Sequence, residues 1–295
     1  MKKLNKCNQN GAAQIALNIV MILLCIAFVA PLLLVLTTSL TSDEDIIKYG
    51  YSFIPKHIDF SAYRYVLSNA DALVRAYGVT FAFSTISMIS SLLLMAMVAY
   101  PLSRNITPGR RFISMFLYFT MLFNGGLVPT YILITKYLHL GNNFLVYILP
   151  GMISPWYVFM MRTNFQGLPS AIVESAYLDG ASEYTIFFKF ILPLSKPVLA
   201  TIALFVFLAR WNDWYTCMLY IDDDNLTSLQ YLLQKIVLEM QMLQNPDYAS
   251  SAVTDIPGEA VRMALAVFVA GPALFVFPFF QKYFVKGMTV GSVKG

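Results

Sequence analysis

Long apolar runs without a charged residue alternate with short polar segments along the chain. A bilayer-spanning helix needs about 20 mostly apolar residues, and the pattern predicts six such helices. The runs lie between Lys6 and Asp43, between Arg75 and Arg104, between Arg111 and Lys136, from Phe144 to Arg162, from Lys196 to Arg210 and from about Met263 to Phe280. Runs of this length argue against buried helices of a soluble protein. The sequence therefore predicts an all-α polytopic membrane protein.

Turn-forming residues set the limits of two spans. The second span is predicted over Val79 to Leu102, before a basic turn at 103–111. The third span is interrupted midway by Asn124-Gly125-Gly126. A break at that depth frees backbone groups that need partners. It therefore either faces a water-filled cavity or forms a kink used only for packing.

Composition and charge agree with a membrane location. Hydrophobic residues make up 58% of the chain and charged residues 12%, whereas soluble domains carry about 25% charged residues. If the N-terminus is cytoplasmic, the inner segments hold twelve of the twenty basic residues and only three acidic ones. Basic residues concentrate in cytoplasmic loops, so we expect both termini in the cytoplasm. The net charge of +4 then reflects orientation in the membrane and not a nucleic-acid-binding surface.

Two outer segments separate the predicted spans. The first, at about 41–76, is expected to form an irregular cap with one helix near Tyr63 to Leu73. The larger one, 212–259, contains three consecutive Asp residues at 222–224 and an amphipathic stretch that Ser228 can cap as a helix. That helix is expected to lie either on the membrane surface or against a partner protein.

The predicted spans carry no Asp, Glu, Lys, Arg or His in their interiors. Transporters that use ion gradients place such groups there, so the pattern argues against proton coupling. The segment from Gly287 to Lys294 does not meet the GxxxxGK[ST] spacing of a phosphate-binding loop. Two His and three scattered Cys predict no metal site. Energy for transport would therefore come from another polypeptide.

The largest inner segment, 169–197, is predicted to form two helices joined by a turn. Pro169-Ser170 begins the first helix, and Gly180 suits the left-handed position that ends it. Ser182 can cap the second helix, and Pro193 is expected to stop it. The apolar face of the second helix consists of Ile186, Phe187, Phe190 and Ile191. Small residues near the turn would allow close insertion into a groove on another protein.

In this segment the chain resembles the permeases of binding-protein-dependent ABC importers. Their hallmark is EAA, three residues, Gly, nine residues and then I-x-L-P. The positions that match in register are Glu174, Ala176, Gly180, Leu192 and Pro193. Ser175 replaces the Ala of the second position, and Phe190 stands where Ile is usual.

Further similarity points to the carbohydrate-uptake branch of these permeases. It lies in Asp179-Gly180-Ala181, in Leu192-Pro193-Leu194, in Trp211-Asn212 and in the ending from Pro278 to Gly295. The chain is most similar there to MalG-type subunits, especially relatives that handle complex oligosaccharides. The resemblance covers nearly the whole chain, most specifically 137–295.

The resemblance implies the type I ABC importer permease fold, with six transmembrane helices and a cytoplasmic coupling helix-turn-helix. Residues 1–75 would form the cytoplasmic N-terminus, the first span and an external loop. Residues 76–284 would form the permease core, with the coupling loop at 169–197 and an external loop at 212–259. Residues 285–295 would form a cytoplasmic tail. The implied location is the bacterial cytoplasmic membrane, which the chain crosses several times.

The resemblance also implies a non-catalytic subunit that works with several partners. Its coupling loop would dock on a dimer of ATP-binding cassette ATPases, where Glu174 pairs with a basic residue. The implied coupling residues are Glu174, Ser175, Ala176, Asp179, Gly180, Ala181, Leu192 and Pro193. A second, homologous permease would complete the pore, and an extracytoplasmic solute-binding protein would deliver the solute. No cofactor is expected on this chain, because ATP and Mg belong to the ATPase, and no nucleic acid is expected as a partner.

Aromatic faces and amides are the groups that usually hold sugars. Candidate residues along the substrate path are therefore Asn124, Tyr131, Trp211, Asn212, Trp214 and Tyr215. Trp and Tyr also gather at membrane interfaces without any ligand, and in some relatives the partner permease alone holds the sugar. Two alternatives stay open at this point. One is an ABC permease for amino acids, peptides or phosphate, and the other is a stand-alone membrane facilitator.

Overall fold

The computed structural model describes residues 11–68, 70–243, 258–272, 274 and 278, and all regular structure in these residues is helical. The α-helices are α1 Gly11–Ser39, α2 Asp43–Tyr49, α3 Ser61–Ser68, α4 Ala70–Ser103, α5 Arg110–Leu122, α6 Leu127–Ile132, α7 Pro155–Gln166, α8 Ser170–Leu178, α9 Glu183–Ile186, α10 Leu192–Leu194, α11 Lys196–Trp211, α12 Tyr215–Tyr220, α13 Leu229–Leu243 and α14 at 259–272. Single turns of π-helix at Leu133–Tyr137 and Phe187–Ile191 and of 3₁₀-helix at Phe144–Tyr147 and Asp224–Leu226 complete the described structure. Contacts divide the chain into two units, 1–70 with 236–268 and 71–235 with 269–295.

Among the described residues, two helices, α1 and α4, are long and apolar enough to cross a membrane as single rods. Two further pairs of helical segments meet the same criteria if each pair is taken as one broken span. One joins α5 to 127–137 at an angle of 114°, and the other joins 183–194 to α11 at 80°. The first bend coincides with the interruption predicted at Asn124-Gly125-Gly126, where Gly126 adopts φ 89°. The predicted break in the third span is therefore confirmed.

The second predicted span begins too late. The helix α4 already contains Ala70, nine residues before Val79. Every described residue from 63 to 73 is helical, in α3 and α4, as expected for the helix near Tyr63 to Leu73. The sixth predicted span is helical over 263–272, and most of its remainder lies outside the described residues, as do the predicted tail and the N-terminal lysines.

The predicted fourth span, 144–162, is not one helix. A 3₁₀ turn covers its first four residues, and α7 begins only at Pro155. Pro150 and Pro155 have no backbone N–H to donate, and Gly151 between them adopts φ 72°. A continuous helix therefore cannot pass through this segment.

In the unit formed by 1–70 and 236–268, polar side chains hold the segment that follows α1. The hydroxyl groups of Ser39 and Tyr63 share a hydrogen bond of 2.7 Å. The Asp43 carboxylate accepts a hydrogen bond from the Ala260 N–H at 3.0 Å. This contact satisfies one of the free N–H groups at the beginning of α14.

In the unit formed by 71–235 and 269–295, α4 connects two apolar cores. One core contains Phe83 of α4 together with residues of the 3₁₀ turn at 144–147 and of α12. The other contains Tyr100 of α4 together with residues of α7, α8, α9 and α11. Phe83 and Tyr100 are about 25 Å apart along the helix axis. The second of these cores holds the loop at 169–197.

Candidate functional site

The first helix of the loop ends in a left-handed glycine turn. Gly180 follows α8 with φ 75°. Its N–H donates to the Tyr177 carbonyl, and the Ala181 N–H donates to the Ala176 carbonyl, both at 2.9 Å. These two bonds form the Schellman arrangement, which favours glycine at this position. The turn predicted at Gly180 is confirmed.

The second helix begins as predicted but ends later. Ser182 Oγ accepts a hydrogen bond from the Thr185 N–H at 3.3 Å, so Ser182 caps α9. The prediction that Pro193 stops this helix is wrong, because Pro193 lies inside α10. The chain turns into α11 only at Ser195, where the helix axes differ by 80°.

A π-helical turn explains why Pro193 is tolerated. Over Phe187–Ile191 the hydrogen bonds lengthen by one residue, and the Leu192 N–H donates to the Phe187 carbonyl. The helix that follows starts in a new register with the proline in its first turn. An N–H at that position needs no partner within the helix, so a proline costs little there.

The apolar face of both helices is buried against other helices of the same chain. Its members are Val173, Ala176, Ile186, Phe187 and Ile191, which pack with α4, α7 and α11. Ala176 is only 4% exposed. Of the implied coupling residues, Ala176 therefore fills the chain's own core and offers little surface to a partner in this conformation.

The remaining predicted coupling residues form the outer surface of the loop. Glu174, Ser175, Asp179, Gly180 and Pro193 are exposed, and Ala181 and Leu192 are half-buried. An open cavity of about 420 Å³ lies beside them. Its lining includes Glu174 together with Arg104 and Gln166, so a side chain from outside can reach the Glu174 carboxylate.

A polar cluster joins the loop to the end of α4. Both oxygens of the Glu183 carboxylate accept hydrogen bonds, one from the Tyr100 hydroxyl at 2.5 Å and one from the Tyr177 hydroxyl. Arg104 lies beside the two rings, with its guanidinium carbon 5.9 Å from the Tyr100 centroid and 5.7 Å from that of Tyr177. We call these four residues the Glu183 cluster.

The Glu183 cluster favours a charged carboxylate. Burial opposes the charge, but the hydrogen bonds from both tyrosines and the nearby Arg104 outweigh it, so the pKa of Glu183 is lowered. Burial and the bond to Glu183 raise the pKa of Tyr177. Each tyrosine therefore remains a hydrogen-bond donor to an anionic acceptor, which is the stronger kind of hydrogen bond.

The candidate substrate-path residues do not form one site. Trp211 is 2% exposed, and its indole N–H donates to the Val269 carbonyl at 3.3 Å. Its proposed contact with a sugar is therefore wrong for this conformation, because the ring is part of the core. Asn124 Oδ1 accepts from the Gly126 N–H at 2.9 Å and shapes the break in the third span.

The other candidates retain exposed surface. Tyr131 is 42% exposed and stacks on Tyr220 with ring centroids 5.6 Å apart. Trp214 and Tyr215 form an edge-to-face pair at 5.6 Å. Asn212 Oδ1 accepts from the Gln230 side chain at 3.0 Å. These residues can meet a solute, but their contacts within the chain already account for their positions.

Two polar arrangements were not predicted from the sequence. Glu183 directly follows the predicted cap Ser182, where an acidic residue suits the beginning of a helix, and nothing near it in sequence indicated Tyr100. Arg210 was treated as the boundary of the fifth span. Its side chain is only 15% exposed, and its guanidinium donates to the Pro150 carbonyl at 2.6 Å. The sole signal for Arg210 was a basic residue on an apolar helix.

Comparison with known proteins identifies the family. The family described as "Binding-protein-dependent transport system inner membrane component" matches residues 16–290. The permease protein YtcP of a polygalacturonan/rhamnogalacturonan transport system of Bacillus subtilis is 36% identical over 267 residues, which are 90% of this chain and 93% of YtcP. Protein LplC of the same organism is 36% identical over 268 residues, 90% of each chain.

A solved structure agrees with this result. The crystal structure of a bacterial ABC transporter involved in the import of the acidic polysaccharide alginate contains a chain that is 27% identical, with a TM-score of 0.81. The match covers 96% of this chain and 100% of that chain. The chain therefore belongs to the family of inner membrane components of binding-protein-dependent transport systems and has the fold of a type I ABC importer permease.

Proposed function

We propose that this chain is the permease subunit that forms half of the translocation pathway for an oligosaccharide. An extracytoplasmic binding protein delivers the solute, a second homologous permease completes the pore, and an ATPase dimer supplies the energy. The observation that carries the proposal is the loop at 169–197, which presents Glu174 beside an open cavity in a chain of this family. The similarity to YtcP of a polygalacturonan/rhamnogalacturonan transport system and to an alginate importer supports a saccharide as the solute.

The same loop is proposed to lie on the cytoplasmic side, with both termini. In the described part of the chain, the basic turn at 103–111 lies against the loop, because Arg104 approaches Tyr177. A neighbouring cavity brings Arg110, Arg111 and Arg162 together. Basic residues from separate segments thus gather at one end of this unit, as expected for a cytoplasmic face.

We propose that rigid contacts within the chain transmit the movement of the ATPase dimer to the membrane spans. The ATPase dimer would hold the exposed residues of α8, with Glu174 paired to a basic side chain. The buried face of the loop and the Glu183 cluster would then transmit its displacement to α4 and α11, because packed elements move as units. ATP hydrolysis belongs to the partner, and the chain acts as a non-catalytic subunit with no cofactor of its own.

The test is a charge reversal at Glu174. In the complete complex reconstituted in proteoliposomes, we expect Glu174→Lys to abolish ATP-driven uptake and ATPase binding while membrane insertion persists. Glu44→Lys reverses another exposed charge, in α2, and should leave uptake unchanged. Wild-type uptake and ATPase binding in Glu174→Lys would refute the coupling role.

The identity of the solute is tested separately. Oligosaccharides, amino acids, peptides and phosphate are each offered to the wild-type complex with its binding protein, and stimulated ATP hydrolysis is measured. We expect stimulation by oligosaccharides. Stimulation by one of the other classes alone would assign the permease to another branch, and uptake by the purified chain without ATPase would indicate a facilitator.

A further inference from the structure

Arg210 lies near the end of α11, and its side chain is only 15% exposed. This helix has 16 residues and belongs to a broken span. Charged side chains within spans are costly and mostly face protein or a water-filled cavity, where they mark solute pathways.

The contacts of Arg210 leave most of its donors free. A guanidinium has five N–H groups, and in the described part of the chain it donates one hydrogen bond, to Pro150. Asp213 is its nearest carboxylate, with an Oδ2 to Nη1 distance of 3.8 Å, which is beyond hydrogen-bond distance. Both oxygens of Asp213 instead accept hydrogen bonds from Thr216, one from its backbone N–H at 3.0 Å and one from its hydroxyl at 2.7 Å.

A cavity of about 140 Å³ opens at this guanidinium. Ser91 and Ser154 contribute polar side chains to its lining, and Tyr157 contributes an aromatic ring. Ser91 is 1% exposed, and its hydroxyl has no hydrogen-bond partner among the described residues. Buried hydroxyl groups normally find a partner, so the Ser91 hydroxyl, which lines the cavity, is available to a polar ligand.

The close approach of Arg210 depends on a glycine. A Cβ added to Gly151 would lie 3.1 Å from Nη2 of Arg210, and Gly151 adopts φ 72°, which disfavours other residues. The segment that interrupts the fourth predicted span thus makes room for the guanidinium. The planar fork of arginine matches a carboxylate through two parallel hydrogen bonds.

We propose that the cavity at Arg210 binds the carboxylate of a sugar acid, with Ser91 and Ser154 bonding its hydroxyl groups and the Tyr157 ring against its apolar face. This inference rests on the proposed function and narrows the solute to acidic oligosaccharides. The polygalacturonan and alginate named for two similar proteins are polymers of this kind. Neither comparison assigns a residue to the charge.

The test compares an acidic oligosaccharide with its uncharged derivative. The complete complex is reconstituted in proteoliposomes, and ATP-driven uptake of trigalacturonate is measured beside that of its methyl ester, each loaded beforehand onto the binding protein. We expect Arg210→Gln to lower the ratio of acid to ester uptake by about tenfold or more, as loss of a charge-assisted pair does. Arg210→Lys keeps the charge and should lower the ratio less, while ester uptake reports correct assembly.

Ser91→Ala provides a second test that disturbs little within the chain. It removes a hydroxyl without a partner, and we expect it to lower the uptake of trigalacturonate by about threefold. Ser90→Ala is the matched control, since its hydroxyl bonds the Ile86 carbonyl of its own helix at 2.7 Å, and its uptake should equal that of the wild type.

The outcomes separate the two proposals. An unchanged ratio in Arg210→Gln overturns the inference, and where that variant fails to assemble, unchanged uptake in Ser91→Ala does so. A wild-type complex that carries only neutral oligosaccharides also overturns it but leaves the proposed function standing. A wild-type complex that carries neither kind of oligosaccharide refutes the proposed function itself.

Discussion

At the scale of single residues, the Glu183 cluster links a helix of the loop to α4. Its carboxylate accepts from Tyr100, which is 8% exposed and belongs to the span, and from Tyr177, which belongs to the loop. Arg104 neutralises the charge from beside both rings. Because Tyr100 and Arg104 belong to α4 whereas Tyr177 and Glu183 belong to the loop, the cluster resists relative displacement of the two segments.

Removal of one hydroxyl should weaken this link. We expect Tyr100→Phe to lower the free energy of unfolding by about 1 kcal/mol, the usual net value of a hydrogen bond, and to lower the uptake obtained per ATP hydrolysed. Thermal unfolding and coupled uptake of the reconstituted complex measure the two effects. Tyr184→Phe removes the hydroxyl of a ring that is 75% exposed and should change neither. Equal behaviour of the two variants would exclude a role for the cluster in coupling.

The lowered pKa of Glu183 predicts a dependence on pH. A carboxyl group with a lower pKa in the folded chain stabilises the fold above its ordinary pKa of 4.5, and this contribution disappears as the pH falls towards the folded value. The unfolding temperature of the wild type should therefore drop more steeply than that of Glu183→Gln as the pH is lowered below 4.5 towards the folded value. Parallel curves for the two proteins would show that the charge does not contribute.

At the scale of elements, short-range signals predicted the loop well. Ser182 and Gly180 act through hydrogen bonds to residues at most five positions away, so the sequence contains all the information that their turn requires. The bend at Asn124-Gly125-Gly126 is local in the same sense. The apolar face of the second helix was likewise predicted from its spacing. Ile186, Phe187 and Ile191 are buried, and Phe190 is half-buried.

The errors arose where distant contacts or a change of helix type decide the outcome. Nothing local distinguishes Ala176 on a partner's surface from Ala176 in the chain's own core, because both positions favour a small residue. Pro193 stops an ordinary α-helix, but the preceding π turn shifts the register and accommodates it. Trp211 carried the expected chemistry for a sugar, and only its packing shows that the ring is inaccessible.

Substitutions at Gly180 can distinguish its role in the turn from its role in ATPase docking. A Cβ at this position meets nothing within 4 Å, so the cost of Gly180→Ala is the left-handed backbone alone, about 1 kcal/mol. Asn tolerates that conformation better, and Gly180→Asn should unfold at a temperature closer to that of the wild type. Thermal unfolding of the two variants checks this order.

Transport by the same variants then reports on docking. If Gly180→Asn keeps its stability but loses ATPase binding, the ATPase requires a surface without a side chain at this position. If both variants bind the ATPase normally, Gly180 serves the turn only. An unfolding temperature for Gly180→Ala equal to that of the wild type would contradict the backbone argument.

At the scale of the whole molecule, the charged residues beside the two cores of α4 indicate how the chain is oriented in the membrane. Within the unit of 71–235 and 269–295, the core at the Tyr100 end of α4 carries the loop and the basic turn, and the core at the Phe83 end carries the acidic residues at 222–224. A basic end and an acidic end on opposite sides of a span favour a cytoplasmic position for the basic one.

This orientation predicts which positions a membrane-impermeant maleimide can reach in intact cells. The native Cys7, Cys25 and Cys217 are first replaced, and single cysteines are introduced as Tyr137→Cys and Leu178→Cys, at side chains that are 74% and 90% exposed. Tyr137 follows the third span on the proposed outer side, and Leu178 lies at the end of α8. We expect Tyr137→Cys to react in intact cells and Leu178→Cys to react only after permeabilisation.

Retained uptake in both variants would show that the labelled proteins are assembled transporters, so that the labelling reports native topology. A docked ATPase would cover Leu178, so permeabilised cells that lack the ATPase serve as the control. Reaction of Leu178→Cys there shows that its failure to react in intact cells reflects the membrane barrier and not burial in the protein. Reaction of Leu178→Cys in intact cells, with no reaction of Tyr137→Cys, would show that the chain has the opposite orientation in the membrane. The loop at 169–197 would then face away from any cytoplasmic ATPase. That result would refute the proposed coupling role of Glu174 together with the proposed orientation.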